Sequence, residues 1–393
     1  MRRPNRKKKM GDGREMGQNP IVVTLKVFML FAALALTSCD DAEPIKIGYV
    51  GGLTGRNADL GREGRDGALL VIELVNENGG INGQPIELIV KDDRQNAEVA
   101  RTVDQELLDA GVIAVVGHMT SSMSMIGADI FSQAEVPLIS PTTSTNNLFA
   151  QDDYFFRIYP PSKGAAKQLA EWISQTSAMK NVVALYDVNN RAHTESWLNA
   201  FDISFHAYGG NVVKAFPFKS DKLDGVSAAI AAVVSTEASG VFILANGLDA
   251  ALLIQNLKKS GDERPIFITE WSATEDFLRY GGAAVENVKF LSTINMSSKS
   301  DQYQSFKSLF NKRFHRDPSF AAVHTADTVR FLLSVLEKDP DPKRLKRNLL
   351  SAGQFEGLQQ SFSLGEFGDV DRDLFPMRVK DGQFVSAHEK GDG

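Results

Sequence analysis

Short apolar segments alternate with amphipathic helical segments along most of this chain. Residues 45–50 form the first apolar segment, helical spacing follows over residues 64–78, and the next apolar segment spans residues 86–90. The same alternation continues to about residue 291. Because consecutive parallel strands require a helical crossover, this order predicts βαβ units around a parallel sheet, which is an α/β fold.

The alternation is interrupted at Pro160-Pro161 and then restarts with helical spacing over residues 163–175. A chain of 393 residues is long enough for two domains. The interruption therefore predicts two similar Rossmann-like lobes, each with a central parallel sheet. The tail at residues 355–385 contains Gly-Asp and Asp-Gly pairs, which are typical of turns, and it predicts antiparallel strands.

The N-terminus has the features of a secretory signal. Six of the first nine residues are Lys or Arg, and the apolar run at residues 27–36 is too short to span a bilayer. The end of this run, Leu36-Thr37-Ser38-Cys39, resembles the lipobox of bacterial lipoproteins. We therefore expect residues 1–38 to be a signal peptide, Cys39 to be acylated and residues 39–44 to form a tether. A signal peptide with an unmodified cysteine and a cytosolic protein with a free thiol are the alternatives.

Removal of residues 1–38 makes the chain strongly acidic. This segment holds eight Lys and Arg residues but two acidic ones, so the remainder keeps 35 positive and 47 negative groups. A net charge of −12 argues against nucleic acid as a partner and favours a monomeric body beside the membrane. Asp40 resembles the residue that keeps such lipoproteins at the inner membrane, facing the periplasm.

Enzyme signatures do not match this sequence. The glycines after the first strand, at positions 51, 52 and 55, do not follow the dinucleotide-binding spacing, and no Walker lysine follows them. The six histidines have no metal-ligand spacing. We interpret His118 as a hydrogen-bonding structural residue, and Asp92-Asp93 as caps for the next turn and helix rather than as a cation site. We expect no catalytic residue, cofactor or metal.

Residues 117–147 contain two apolar strand ends, each followed by a dense group of hydroxyl side chains. Adjacent strand ends that carry small donors predict the floor of a pocket for a polar small molecule. Ser121 and Ser122 also begin a helix, whose free N–H groups suit an anion. This floor is the feature on which a functional hypothesis rests.

Several short motifs of this chain occur in the order of one known pattern. They are Ile45-Lys46-Ile47-Gly48, Asn78-Gly79-Gly80-Ile81-Asn82-Gly83, Asp92-Asp93, Gly117-His118 with Ser121-Ser122, Ile139-Ser140-Pro141 and Asp317-Pro318-Ser319. With these motifs, residues 45–385 resemble an extracytoplasmic solute-binding protein of an ABC transporter, of the leucine/isoleucine/valine-binding type. The resemblance implies a type I periplasmic binding protein fold, two lobes joined by three crossovers.

The resemblance also implies lobe bounds and site residues. The crossovers are expected near residues 157–161, 290–295 and 352–356, which gives a first lobe of residues 45–158 and 292–353 and a second lobe of residues 159–291 and 354–387. Thr120, Ser121, Thr142 and Ser144 are expected to hold the ligand's carboxylate, and Glu270 is expected to meet its ammonium group. The opposite wall is expected to include His193 and Asn246.

The chain departs from the pattern where the resemblance implies side-chain selection. Leu60 stands where an aromatic residue commonly covers the ligand, and either His193 or Arg191 replaces a tyrosine. Leucine, isoleucine or valine is therefore the default ligand, with other amino acids, amides and small carboxylates open. We expect a lipid-anchored receptor that delivers its ligand to ABC permease subunits. A sensing subunit of a signalling receptor with the same pocket is the alternative, and an exported enzyme on this scaffold is weaker.

Overall fold

Two mainly parallel sheets, each with helices on both faces, build the computed structural model of the chain. The structure describes residues 43–55, 58–176, 179–219 and 223–387. The predicted signal peptide, Cys39 and most of the predicted tether lie outside these residues. The two-sheet α/β arrangement confirms the predicted fold class.

The strands and helices alternate through most of the chain and end in short antiparallel strands. The strands are β1 Ile45–Gly51, β2 Ile86–Asp92, β3 Ala114–Val116, β4 Leu138–Ser140, β5 Phe155–Arg157, β6 Asn181–Asp187, β7 Asn211–Phe218, β8 Gly240–Leu244, β9 Ile266–Ile268, β10 Lys289–Ser292, β11 Phe355–Glu356, β12 Ser361–Phe362, β13 Phe375–Lys380 and β14 Gln383–Ser386. The α-helices are α1 Asp59–Glu77, α2 Ala97–Asp109, α3 Ser121–Gln133, α4 Ser162–Thr176, α5 Arg191–Ala207, α6 Leu223–Val234, α7 Gly247–Lys259, α8 Glu275–Gly281, α9 Asp301–Phe314, α10 Phe320–Lys338 and α11 Leu345–Leu350.

The first lobe is built on a five-stranded sheet with the order β2-β1-β3-β4-β5, in which every pairing is parallel. Helices α1, α9 and α10 cover one face, where Phe310 and Leu332 are buried. Helices α2 and α3 cover the other face, where Leu107 and Phe131 are buried. This order places the carboxyl ends of β3 and β4 side by side, as the predicted pocket floor requires.

The second lobe is built on a seven-stranded sheet with the order β14-β13-β10-β9-β8-β6-β7. Strands β6 to β10 pair in parallel, whereas β13 and β14 add antiparallel strands at one edge. Helices α4 and α5 pack on one face, and α6, α7 and α8 pack on the other. The antiparallel strands predicted for the tail are confirmed.

Helix α1 begins five residues earlier than its predicted start at Gly64, because its glycines contact neighbouring backbone. A Cβ atom at Gly61 would overlap the carbonyl oxygen of Gly52, and one at Gly67 would overlap that of Ala322 in α10. Glycine is unfavourable inside a helix, so the sequence pattern favours a turn here. In the folded chain the helix extends through these glycines, because only glycine allows the close backbone contacts at these positions.

The chain passes between the two sheets three times, and the last passage lies later than predicted. The first two lie between β5 and α4 and between β10 and α9. After α11, Phe355 and Phe362 pack against Phe331 of α10, and Val370 is still buried in the core of the first lobe. The third passage therefore lies between residues 370 and 375, because the apolar β11–β12 hairpin adds to the first lobe before the chain leaves it.

Candidate ligand-binding site

A small pocket lies at the carboxyl ends of β3 and β4, where the first lobe meets the second. It is lined by Leu60, Met119, Ser121, Thr142, Tyr159, Asn190, His193, Trp271 and Phe320. The volume of this pocket is about 20 Å³, since the two lobes are in contact around it. A ligand must therefore part the lobes to enter.

Hydrogen bonds among hydroxyls and backbone carbonyls make the floor of the pocket rigid. Thr142 donates from Oγ1 to the carbonyl of Met119 at 2.7 Å. Ser124 and Ser140 both donate to the carbonyl of His118, at 3.1 and 2.8 Å. Ser121 opens α3 and is buried, so its hydroxyl lies beside the positive end of the helix dipole. This floor suits a negatively charged group of a ligand.

Beneath the floor, His118 is enclosed by two aspartates. Its Nδ1 lies 2.8 Å from Asp93 Oδ2 and its Nε2 lies 3.0 Å from Asp104 Oδ1, with all three side chains buried. Burial alone lowers the pKa of His118, but the charge and hydrogen bonds of Asp104 and Asp93 raise it to about 9. The prediction that His118 is a structural hydrogen-bonding residue is confirmed.

The predicted caps at Asp92 and Asp93 are partly confirmed. Asp92 Oδ1 accepts from the backbone N–H of Leu53 at 2.8 Å, and Asp93 Oδ1 accepts from that of Gln95 at the same distance. The first bond joins the end of β2 to the loop after β1, and the second closes the turn after β2. The cap of α2 is instead Asn96, which has the extended backbone of an N-cap and accepts two backbone hydrogen bonds.

The second lobe contributes an uncharged imidazole to the pocket wall. His193 is buried, its Nδ1 lies 2.8 Å from Ser144 Oγ of the first lobe, and its ring meets Trp271 edge-on at 5.3 Å. Burial lowers the pKa of His193 to about 4, so the ring is neutral at pH 7. Its Nε2 atom is buried and has no hydrogen-bond partner among the described residues. Arg191, the alternative at this wall, is exposed and pairs with Glu195.

Glu270 lies behind the pocket wall rather than in it. It is buried, and its two oxygens accept four hydrogen bonds from Ser292 Oγ, Thr293 N, Thr293 Oγ1 and the phenol of Tyr159. Burial raises the pKa of Glu270 above its ordinary value, and these donors offset only part of that rise. Tyr159, which lines the pocket, stands between the carboxylate and the ligand space.

The structure brings three predicted residues into the pocket lining, namely Ser121, Thr142 and His193. Thr120 is the N-cap of α3, and Ser144 contacts the pocket through His193. Asn246 accepts a hydrogen bond from Asp249 N and caps α7, away from the lining. Leu60 also lines the pocket, at the position where the resemblance implies a covering aromatic residue, and the other lining residues were not predicted as site residues.

Three of the unpredicted lining residues come from segments that are distant in sequence. Tyr159 directly precedes the Pro160-Pro161 break, and Trp271 follows Glu270, so each stands beside a feature that the sequence does reveal. Phe320 is the first residue of α10, and no local pattern connects it with β3 or β4. Only the assembled fold brings it to the pocket.

A larger cleft of about 560 Å³ lies where Glu63, Thr274, Arg316 and Ser319 meet. Its lining mixes acidic, basic and apolar residues. Glu63 is buried there, and burial raises its pKa to about 7. Within the described part of the chain, no group of three or more His, Cys, Asp or Glu side chains is placed to hold a metal ion.

Comparisons with known proteins give a family model and curated relatives. The model described as "Periplasmic binding protein" matches residues 44–383. The leucine-, isoleucine-, valine-, threonine- and alanine-binding protein of Pseudomonas aeruginosa is 30% identical over 169 residues, which are 42% of this chain and 45% of that protein. The Leu/Ile/Val-binding protein of Escherichia coli K12 is 29% identical over 119 residues, which are 30% of this chain and 32% of that protein. The chain thus matches less than half the length of either relative.

Solved structures share the fold over nearly their whole length. LivJ from Streptococcus pneumoniae, in complex with isoleucine, is 24% identical with a TM-score of 0.79, covering 87% of this chain and 98% of its own. The leucine-binding protein LivK from Thermotoga maritima is 21% identical with a TM-score of 0.81, covering 87% and 97%. A solute-binding protein from R. palustris, in complex with benzoate, is 19% identical with a TM-score of 0.80, covering 88% and 95%.

Proposed function

Because the chain belongs to the periplasmic binding protein family, we propose that it is the solute receptor of an ABC importer. It binds an amino acid or a related small carboxylate between its two lobes and delivers it to membrane permease subunits. The observation that carries this proposal is the pocket between the lobes, where a hydroxyl-rich floor at the start of α3 faces His193 and Trp271 of the second lobe. The receptor performs no chemistry on its ligand.

The relatives set the range of ligands that we consider. The structures similar in fold include complexes with isoleucine and with benzoate, and the curated relatives are named for branched-chain and other small amino acids. These ligands share a carboxylate next to an apolar body. The pocket suits that combination, because polar floor residues and the apolar side chains of Leu60, Met119, Trp271 and Phe320 lie together.

Binding and closure are coupled in this proposal. In the open form, the ligand's carboxylate meets Ser121 and Thr142 on the first lobe. Closure then adds His193 and Trp271 from the second lobe. A ligand stabilises the closed form only by the contacts that it gains there, so the second-lobe contacts set how far each ligand shifts the equilibrium.

The remaining predicted residues support the contact residues. Thr120 is the residue before the first turn of α3, Ser144 orients His193, and Asn246 caps α7 in the second lobe, away from the lining. Acylation of Cys39 would hold the protein at the inner membrane, facing the periplasm, so that the receptor stays close to its permease. No helix among the described residues is long and apolar enough to cross a membrane.

A thermal-shift screen followed by calorimetry tests the proposed function. A ligand at 100 times its dissociation constant stabilises the native state by about 2.7 kcal/mol. We expect at least one small amino acid or carboxylate to reach this effect, and Ser121→Ala to weaken its binding. Ser351→Ala, at an exposed serine after α11, serves as the control and leaves the affinity unchanged. A screen in which neither class of ligand binds would contradict the receptor function.

A further inference from the structure

We propose that the ligand of this pocket is a small organic acid with an apolar body and no ammonium group. The inference rests on the proposed function, since it names the ligand class of the same pocket. It departs from the default of a branched-chain amino acid. Three features of the described residues carry it: the uncharged lining, the occupied Glu270 carboxylate and the neutral imidazole of His193.

The first feature is that no charged side chain among the described residues lines the pocket. The nine lining residues are four with aliphatic or hydroxyl side chains, three aromatic residues, one asparagine and one histidine that is neutral at pH 7. An α-ammonium group that is withdrawn from water needs a carboxylate or several carbonyl oxygens as partners. A carboxylate finds its partners at the floor, in the hydroxyls and the start of α3.

The second feature is the hydrogen bonding of Glu270, the acid that lies nearest behind the wall. A carboxylate offers about four acceptor positions. In Glu270 they are filled by Ser292, by both donors of Thr293 and by Tyr159, at 2.5 to 2.9 Å. An ammonium group can reach Glu270 only after one of these donors is displaced.

Tyr159 occupies the side of Glu270 that faces the ligand. Its phenol donates to Glu270 Oε2 at 2.6 Å, and its ring packs edge-on against His324 of α10 at 5.6 Å. Burial and the neighbouring Glu270 raise the pKa of Tyr159 well above its usual value, so the phenol carries no charge. The group that an ammonium would meet is therefore neutral and already engaged as a donor.

Other buried acids around the site are also engaged. Asp93 and Asp104 hold His118 below the floor. Asp59, next to Leu60, accepts a hydrogen bond from Thr274 Oγ1 at 2.9 Å. None of these three carboxylates lines the pocket. Among the described residues, the pocket thus lacks an anionic partner for an ammonium group.

The third feature is the buried, unpartnered Nε2 atom of His193. When Ser144 Oγ donates to Nδ1, the hydrogen of the neutral imidazole is on Nε2, which then donates into the pocket. A carboxylate or other oxygen of the ligand accepts this bond. In this tautomer the second lobe closes on the ligand with a neutral donor and the indole of Trp271, which suits an acid with an apolar body.

Matched ligand pairs test the inference on the full chain. Calorimetric titration compares leucine with 4-methylpentanoate, which lacks only the amine, and phenylalanine with 3-phenylpropanoate. 3-Methylbutylamine, which has the amine but no carboxylate, is the third kind of probe. We expect each acid to bind at least tenfold more tightly than its amino acid, and the amine not to bind. Equal affinities, or tighter binding of the amino acids, overturn the inference while leaving the receptor function intact. Absence of binding by all these probes overturns the inference, and the receptor function is contradicted only when the wider screen of amino acids and carboxylates also finds no ligand.

Two substitutions separate the role of Glu270 from a general loss of folding. Tyr159→Phe removes the phenol that donates to Glu270 and so frees one acceptor position for an ammonium group. The affinity for each acid divided by the affinity for its amino acid is therefore expected to fall at least tenfold relative to the wild type. In Glu270→Gln each acid is still expected to bind at least ten times more tightly than its amino acid, as in the wild type, because Glu270 does not contact the ligand. A ratio that Glu270→Gln raises by selectively weakening amino-acid binding shows that the carboxylate holds the ammonium, and overturns the inference. Tyr280→Phe, at an exposed tyrosine, is the matched control.

Discussion

The imidazole of His193 and the hydroxyl of Ser144 form a 2.8 Å hydrogen bond between the two lobes. Further bonds across the same interface join Ser122 N to Asn190 and Asn146 N to Ser196. All these groups can bond to water when the lobes part, so each bond adds little net free energy to closure. The open and closed forms therefore differ little in free energy without ligand, and the contacts that the ligand gains on closure decide the population of the closed form.

Ser144→Ala is expected to weaken ligand binding about three- to tenfold. The substitution removes the partner that orients His193, and a neutral hydrogen bond contributes about 0.5–1.5 kcal/mol. Calorimetric titration with the best ligand of the screen measures the effect. Ser334→Ala, in α10 and away from the pocket, is the control. Unchanged affinity in Ser144→Ala would show that His193 is held in place by packing against Trp271 alone.

His118 is expected to make stability fall as the pH rises above neutrality. Its pKa is about 9 in the folded chain and 6.5 in its unperturbed state. The protonated imidazole therefore stabilises the fold fully below pH 6.5, and this contribution of about 3 kcal/mol is lost as the pH rises through 9. Denaturant unfolding of the wild type and of His118→Gln, at pH 6 and pH 9.5, measures the difference.

The exposed helical residue His206 provides the control for this experiment, as His206→Gln. This variant is expected to follow the wild type at both pH values. The stability difference between wild type and His118→Gln is expected to shrink at pH 9.5. A difference that stays constant between the two pH values would mean that His118 is not charged between Asp93 and Asp104.

Glu63 is expected to make stability fall at lower pH than His118 does, between about pH 4.5 and 7. Burial raises the pKa of Glu63 from 4.5 to about 7, so the folded chain favours the protonated carboxyl. The stability that this proton provides is present below pH 4.5 and is lost as the pH rises through 7, by about 3 kcal/mol. Glu63→Gln is expected to lose less stability than the wild type between pH 4.5 and pH 8. Glu87→Gln, on the exposed side of β2, is the control, and identical pH profiles for Glu63→Gln and the wild type would refute the shift.

The local pattern of the sequence predicts the sheet layers and the floor of the pocket. Apolar runs and helical spacing locate β1 to β10, and the hydroxyl groups after β3 and β4 locate Ser121 and Thr142, because these features are local in sequence. The opposite wall is harder to predict. His193 is recognised as one of two candidates, and only burial separates it from the exposed Arg191.

Glu270 shows where prediction from the sequence ends. Its position after β9 identifies it as an acid near the site, but its partners come from two other segments. Tyr159 precedes α4, Ser292 ends β10 and Thr293 follows it. Spacing along the chain does not reveal that these donors converge on one carboxylate. Whether an acid is free to bind a ligand is thus a tertiary property.

The glycines of α1 and α4 give a paired prediction about packing. Gly67 lies where α1 meets α10, and a Cβ atom there would overlap the carbonyl of Ala322. Gly164 lies in the first turn of α4, and a Cβ atom there meets nothing within 4 Å. The same substitution to alanine therefore acts in opposite directions at the two sites.

Gly67→Ala is expected to destabilise the fold by about 1–3 kcal/mol, because backbone cannot yield as a flexible side chain does. Gly164→Ala is expected to stabilise it by up to about 1 kcal/mol, because alanine loses less backbone entropy in a helix. Denaturant unfolding of both variants against the wild type measures the two changes. If Gly67→Ala were neutral, α1 and α10 would have to separate without loss of packing, and the contact with Ala322 would not explain the glycine at position 67.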